Sequence, residues 1–282
     1  MGLAVANQLR AQGHSVIGVD RHDAEVVADL SETHGRRAAA DAVLASCDSR
    51  LDGAVLAAGL GPRTGAERAI LDVNFLGVVE LLEAWRPALA ATDEAKVVVF
   101  SSNATTVTPL VPRRAVTALL QRDLDRALRH LRWRGRLAPT VAYAASKIAL
   151  SRWVRRESTT VDWAGHGIRL NALAPGAVMT PLLAEQLEDA RQGRFVRTFP
   201  VPLGGFGDAA QLADWALFML SDAATFLCGS VVFVDGGSDA YLRAEDWPTP
   251  VPSWRLPFYG ARFLEFGRRI AGDHGLSPTS RA

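Results

Sequence analysis

The sequence predicts an α/β chain built on a doubly wound parallel sheet. Three observations predict it: short β-branched runs recur, they are apolar on both faces, and stretches of helical period separate them. The runs lie at 15–20, 53–57, 96–101, 168–172 and 230–234, and the helical patterns near 3–12, 34–46, 66–91, 142–164 and 208–221. Strand and helix in alternation require right-handed crossovers, which place helices on both faces of one sheet.

Two segments break the rhythm. In the insert at 107–140, Val116, Leu119, Leu120, Leu124, Leu128 and Leu131 keep helical spacing with arginines opposite. The tail is rich in proline and aromatics: Trp247, Trp254, Phe258, Tyr259, Phe263 and Phe266. The expected organisation is one catalytic-sized domain over 1–240, carrying the insert, then a C-terminal extension over 241–282.

Composition excludes several classes. Lysine plus arginine number 31 against 30 acidic residues, a formal charge of +1, which gives no field to attract nucleic acid or an anionic membrane. No apolar run approaches the roughly 18 residues of a membrane span. Cys47 and Cys228 have neither metal-ligand nor redox spacing, which points to no metal and to a reducing, cytoplasmic setting. Of the 31 basic residues only Lys96 and Lys147 are lysine. A lysine kept in an arginine-favouring chain suggests a task for a compact, tunable ammonium.

Tyr143-Ala-Ala-Ser146-Lys147 opens a predicted helix and puts phenol and ammonium one turn apart on one face. A phenol titrates near 10, too high for a base at neutral pH, and a neighbouring ammonium is expected to lower it. Ser101-Ser102 follows a buried strand, where α/β sheets place ligands, and a hydroxyl there can donate to a substrate oxygen. Asn74 is an amide in an otherwise apolar helix, either a structural hydrogen bonder or part of a polar relay. After a later strand, Pro175-Gly176 makes a sharp turn, and Thr180 follows in a loop. Asp20 ends the second predicted element, where a carboxylate accepts from ribose hydroxyls and repels a 2′-phosphate; Arg21 follows it.

Together Asn74, Ser102, Tyr143-x-x-x-Lys147, Pro175-Gly176…Thr180-Pro181 and Val234-Asp235-Gly236-Gly237 resemble the short-chain dehydrogenase/reductases, over about residues 2–240. The resemblance implies a Rossmann-type fold and an oxidoreductase acting on CH–OH groups. It makes Tyr143 the acid/base, Ser102 the residue orienting the substrate oxygen, Lys147 the holder of the nicotinamide ribose and Asn74 the support of a proton relay. It implies cofactor contacts from Gly2, Asp20, Asp29, Leu30, Ala57, Ala58 and Gly59 toward the adenine and phosphate side. Pro175, Gly176, Val178 and Thr180 would serve the nicotinamide side. NAD is implied ahead of NADP.

A narrower likeness lies in the run from Arg21 to Ser31, in Ala58-Gly59-Leu60-Gly61-Pro62 and in the long gap from Ser102 to Tyr143. These resemble the bacterial 3α-hydroxysteroid dehydrogenase/carbonyl reductase branch, implying a hydroxysteroid or another bulky apolar carbonyl as substrate. Coniferyl-alcohol dehydrogenases share the layout, and a catalytically silent cofactor-binding protein is the alternative from another class. The loop through Leu182, Leu183, Phe195, Phe199 and Pro202 is expected to cover the substrate. The insert is expected to shape both cleft and subunit contact in a homo-oligomer, dimer or tetramer, and the tail to pack over the cleft or across a subunit boundary.

Met1-Gly2-Leu3-Ala4 looks like the end of the family's glycine-rich turn, without the strand that precedes it. The expectation is that the natural protein begins about a dozen residues upstream, because two strands here would otherwise each lack a ladder partner.

Overall fold

The computed structural model describes residues 1–180, 183, 187, 188, 193 and 197–272, the last six of these by backbone alone. Met1–Leu242 form one compact unit and Arg243–Ala282 a second. In the first, α1 (Gly2–Ala11), β1 (Val19–Asp20), β2 (Val26–Val27), α2 (Thr33–Ser46) and β3 (Gly53–Leu56) come in order. Next are α3 (Glu67–Leu71), a π turn (Asp72–Gly77), α4 (Val78–Ala90), β4 (Lys96–Phe100) and α5 (Ala104–Val107). Then follow α6 (Arg113–Leu120), α7 (Leu124–Leu131), α8 (Ala138–Glu157), β5 (Arg169–Pro175), α9 (Ala209–Leu220), β6 (Val231–Val234) and α10 (Ser238–Arg243). The second unit contains α11 (Leu256–Gly272).

Four strands form a parallel, Rossmann-like sheet in the order β3-β4-β5-β6. β4 and β5 are central and buried almost throughout, whereas β3 and β6 are partly open. Their register sets the site. The Ser101 amide donates to Leu173 O at 2.7 Å and the Asn103 amide to Pro175 O at 2.8 Å, so Ser102 and the Pro175-Gly176 turn share one carboxyl edge.

The run at 15–20 departs most from expectation. Only Val19–Asp20 is strand, paired in parallel with Val26–Val27, a two-residue strand too short for periodicity to reveal. Among the described residues no pairing joins this pair to the larger sheet, and β3 pairs on one side only. Without a ladder on its free side, the Gly18 amide donates instead to Glu25 Oε2 at 2.8 Å. Hydrogen bonds from its own backbone amide first, and from that of Gly18 second, hold the Glu25 carboxyl below its usual range.

The helix expected over 66–91 is interrupted by the π turn at Asp72–Gly77, whose residues from Val73 onward are buried. Apolar periodicity cannot register one extra residue per turn. The Tyr143 helix starts earlier and stops sooner than the expected 142–164. Pro139 favours the first turn, and β-branched Thr159, Thr160 and Val161 do not prolong the helix. Tyr143 therefore stands in the second turn instead of opening the helix.

The insert is helical as expected, and most of it forms two α-helices, α6 and α7. Arg122 adopts a left-handed φ of 60°, and the Asp123 carboxylate caps α7 by accepting from the Arg126 amide at 2.9 Å. Ala115, Val116, Leu119, Leu124, Ala127 and Leu131 are buried in the same core cluster as β4 and α8, with α6 against α8 and α7 against α3. The arginines face outward, and Arg122 and Arg68 pair with Glu83 and Asp125.

Leu119 is fully buried, so Leu119→Ala is expected to cost about 2–5 kcal/mol of unfolding free energy in urea titration. Removing the cap in Asp123→Ala should cost about 1 kcal/mol. A Leu119→Ala effect below 1 kcal/mol would show that the insert is not integral to the core.

Candidate active site

The carboxyl ends of β3, β4 and β5 converge on four side chains that the sequence singled out. Ser102 follows β4, and its Oγ accepts from the Ala104 amide at 3.1 Å. That leaves the hydroxyl proton free to act on the Tyr143 phenol, whose pKa the Ser102 side chain lowers. Ser101 has a different role: its Oγ lies 2.7 Å from Ser151 Oγ and ties β4 to α8. Of the two serines at the strand end, one braces the helix and the other faces the site.

Lys147 lies one turn beyond Tyr143 on α8. Its Nζ donates to Phe100 O, the last carbonyl of β4, at 2.7 Å, and stands 6.0 Å from the centre of the Tyr143 ring. Burial lowers its pKa from the usual 10.5 to about 8. Lys96, the other lysine, makes only a surface pair with Asp222 at 2.8 Å. The phenol departs from expectation. Burial pushes the Tyr143 pKa above its ordinary value, and the Ser102 hydrogen bond pulls only part of the way back. Across 6.0 Å the ammonium does not reverse the cost of desolvating a phenolate.

Asn74 is completely buried in the π turn. Its Oδ1 accepts from the Leu60 amide at 2.7 Å, and its Nδ2 donates to Leu60 O at 2.9 Å and to Ser146 Oγ at 3.4 Å. Ser146, which the sequence reading passed over, donates in turn to Tyr143 O at 2.7 Å. Its signal was present in the same motif, a hydroxyl between the phenol and the ammonium. A wider turn is what lets this amide reach the loop after β3, and such turns often mark functional sites.

A cavity of about 370 Å³ opens beside these groups, lined in part by Asp20, Arg21, Asp29, Leu30, Ala58 and Gly59. Both Asp20 and Asp29 are fixed by local hydrogen bonds. Asp20 Oδ1 accepts from the Arg21 and His22 amides at 2.6 and 3.3 Å. Asp29 Oδ1 accepts from both the amide and the hydroxyl of Ser31, which holds its pKa low. At Gly59 a Cβ would stand 3.2 Å from Asn74 Oδ1 and 3.6 Å from Lys147 Nζ, so the bare backbone there lies against both polar groups. Gly2, at the start of α1, faces Ala57 across a comparable gap. Arg63 also lines this cavity, unnoticed in the sequence because it follows the Gly61-Pro62 turn.

On the other side, Gly176 lets the chain turn against β6. A Cβ there would lie 2.7 Å from Asp235 Cα, so only glycine fits without displacing backbone. The Asp235 carboxylate caps α10 and accepts weakly from Asn103 Nδ2 at 3.4 Å. Val178 bridges to Gly207, and Thr180 Oγ1 accepts from the Leu183 amide at 3.3 Å. Of the expected covering loop, Leu182 and Phe195 lie outside the described residues, as does Pro181. Its return limb is anchored, with the Leu203 amide donating to Gly236 O at 3.1 Å.

Comparisons with known proteins agree with this geometry. A family profile described as Enoyl-(Acyl carrier protein) reductase matches residues 134–239. The chain is 38% identical to a 3-alpha-hydroxysteroid dehydrogenase/carbonyl reductase of Comamonas testosteroni over 86% of its own length and 94% of the relative's. It is 29% identical to a 3beta-hydroxysteroid dehydrogenase 1 of Eggerthella lenta, over 86% and 90% of the two chains. Among solved structures, the 3-alpha-hydroxysteroid dehydrogenase from Pseudomonas sp. B-0831 complexed with NADH superposes with a TM-score of 0.81 at 40% identity, covering 86% of this chain and 94% of that one. The chain belongs to the short-chain dehydrogenase/reductase family. It is an oxidoreductase of CH–OH groups.

The buried ammonium has a measurable consequence. Unfolded Lys147 titrates near 10.5 and folded Lys147 near 8, so between those values the unfolded chain binds more protons and stability rises with pH. The gain approaches roughly 3 kcal/mol across that window. Urea unfolding of wild type and Lys147→Met at pH 7.5 and 9.5 should show this rise in the wild type alone. Parallel pH dependence in the two proteins would refute the buried charge.

Proposed function

We propose that the protein interconverts a secondary alcohol and a ketone with NAD(H), acting on a hydroxysteroid or another bulky apolar carbonyl. The observation carrying this reading is the convergence of Ser102, Tyr143, Lys147 and Asn74 beside a cavity lined in part by Asp20, Asp29, Leu30, Ala58 and Gly59. NAD(H), when bound, supplies or accepts the hydride. Its adenine side would rest on Asp20, Asp29, Leu30, Ala57, Ala58 and Gly59, with Gly2 nearest the phosphates. Its nicotinamide side would meet Lys147, Pro175, Gly176, Val178 and Thr180.

The chain's own residues then handle the proton. Tyr143 gives a proton to the substrate oxygen in reduction or takes it in oxidation. Ser102 donates to the same oxygen, stabilising charge there as it develops. Lys147 keeps a positive charge near the phenol and the ribose hydroxyls, while Asn74 and Ser146 hold the polar path behind them. Because burial alone raises the phenol, the lowering needed for base work at neutral pH falls to charges brought in or oriented when ligand binds.

The names of the relatives support a hydroxysteroid ahead of a coniferyl-type alcohol. The Asp20 carboxylate, exposed at the cavity rim, supports NAD over NADP because it would repel a 2′-phosphate. The catalytic domain spans 1–240 with the insert at 107–140, and 241–282 is an extension. The protein is read as cytoplasmic and as a homo-oligomer, dimer or tetramer. No helix among the described residues is long and apolar enough to cross a membrane.

Turnover of NAD(H) with steroid, aromatic and allylic alcohols tests the reading, a steroid being the expected best substrate. Tyr143→Phe should lose activity by about 10³-fold or more with NADH affinity nearly intact. Near-normal rates in that variant would overturn the assignment. Asp20→Ala should narrow the ratio of kcat/KM for NAD over NADP by about tenfold. An NADP preference in the parent would show that Arg21 outweighs Asp20.

A further inference from the structure

Arg36, on α2, is an arginine that the catalytic reading does not use. It is buried, at 3% exposure, and its guanidinium serves four partners. Nε donates to Glu80 Oε2 at 2.6 Å, Nη2 to Thr33 Oγ1 at 3.0 Å and Nη1 to Leu30 O at 3.0 Å. Nη1 also lies 3.7 Å from Asp72 Oδ1. Asp72 begins the π turn and Glu80 follows its end. One planar cation therefore braces both ends of the turn carrying Asn74 and grips the backbone of the cavity wall.

The neighbouring residue serves the same wall. A Cβ on Gly35 would lie 2.1 Å from Asp29 O, so α2 can approach Asp29 only because glycine is there. Gly35 admits the helix, and Arg36 fastens Leu30. Asp29, Leu30 and Val73, the residue after Asp72, all line the cavity.

We propose that Arg36 is a positioning residue for dinucleotide binding, locking the Asp29–Leu30 wall to the π turn so that the adenine half meets a preformed surface. The proposal rests on reading this cavity as the adenine side of an NAD(H) site. A lysine cannot substitute. A compact ammonium can pair with Glu80 but lacks the fork that reaches Leu30 O and Asp72 at the same time. Asn74 does not depend on Arg36 for its side-chain position, because Leu60 holds the amide from both atoms. The effect therefore falls on cofactor affinity and not on the chemical step.

The test compares NADH with reduced nicotinamide mononucleotide, which lacks the adenine half, by fluorescence titration of the full chain. Arg36→Lys should bind NADH about tenfold more weakly or worse and the mononucleotide within about twofold of wild type, with kcat at saturating NADH within about threefold. NADH affinity unchanged in a folded variant would overturn the proposal. So would equal weakening of both ligands, the signature of a purely structural ion pair. If Arg36→Lys has no cooperative melt, Glu80→Gln decides by the same comparison: NADH weakened about threefold with the mononucleotide unchanged supports it, and equal or absent effects overturn it. Asp20→Ala separates the two layers. If it weakens NADH while the Arg36 and Glu80 variants do not, the positioning role alone falls. If the wild type binds both ligands equally, the adenine reading falls and the proposal with it.

Discussion

An ammonium sealed at the carboxyl end of a buried strand loses most of its hydration, and at Lys147 the Phe100 carbonyl restores only part of it. That burial constrains its surroundings. The helix must lie close enough for a four-carbon stem to reach the strand end, and α8 does so by presenting Ala142, Ala144, Ala145 and Ala149, all buried, together with Ser146 and Ser151. Ser151 joins Ser101 at 2.7 Å and fixes the helix against β4. Once helix and strand are locked, Tyr143 and Ser102 face one another without further adjustment.

The π turn solves a second problem of burial. Asn74 brings four hydrogen-bonding positions into an apolar layer, and three of them are used on Leu60 and Ser146. An ordinary helical turn would present the amide at a different height relative to the loop after β3. The amide therefore ties that loop to the helix layer, and the loop forms one wall of the cavity.

Charge is distributed by the same logic. A net charge of +1 hides 29 arginines. Those of the insert stand outward; Arg122 pairs there with Glu83, and Arg68 of α3 with Asp125 of the insert, where solvent keeps each pair weak. Arg36 is the contrasting case, a guanidinium withdrawn from water and compensated by carboxylates, a hydroxyl and a backbone carbonyl together. Position, not residue type, decides what an arginine contributes.

The sequence by itself determined the sheet class and marked the phenol, ammonium, hydroxyl and amide that the fold brings together. These are local properties: β-branched runs, helical period, and a phenol and ammonium four residues apart. It also marked Ser101-Ser102 and Asn74 while leaving their roles open. Only the tertiary structure separated Ser101, which braces α8, from Ser102, which faces Tyr143, because that depends on which helix lies over the strand end. It divided the insert at Arg122 and placed a π turn inside an apparently continuous helix. It reduced the 15–20 run to two paired residues, since a strand exists only where a neighbouring ladder meets it. It also reversed the sign expected for the phenol, because desolvation depends on everything packed around a group and spacing along the chain carries no record of that.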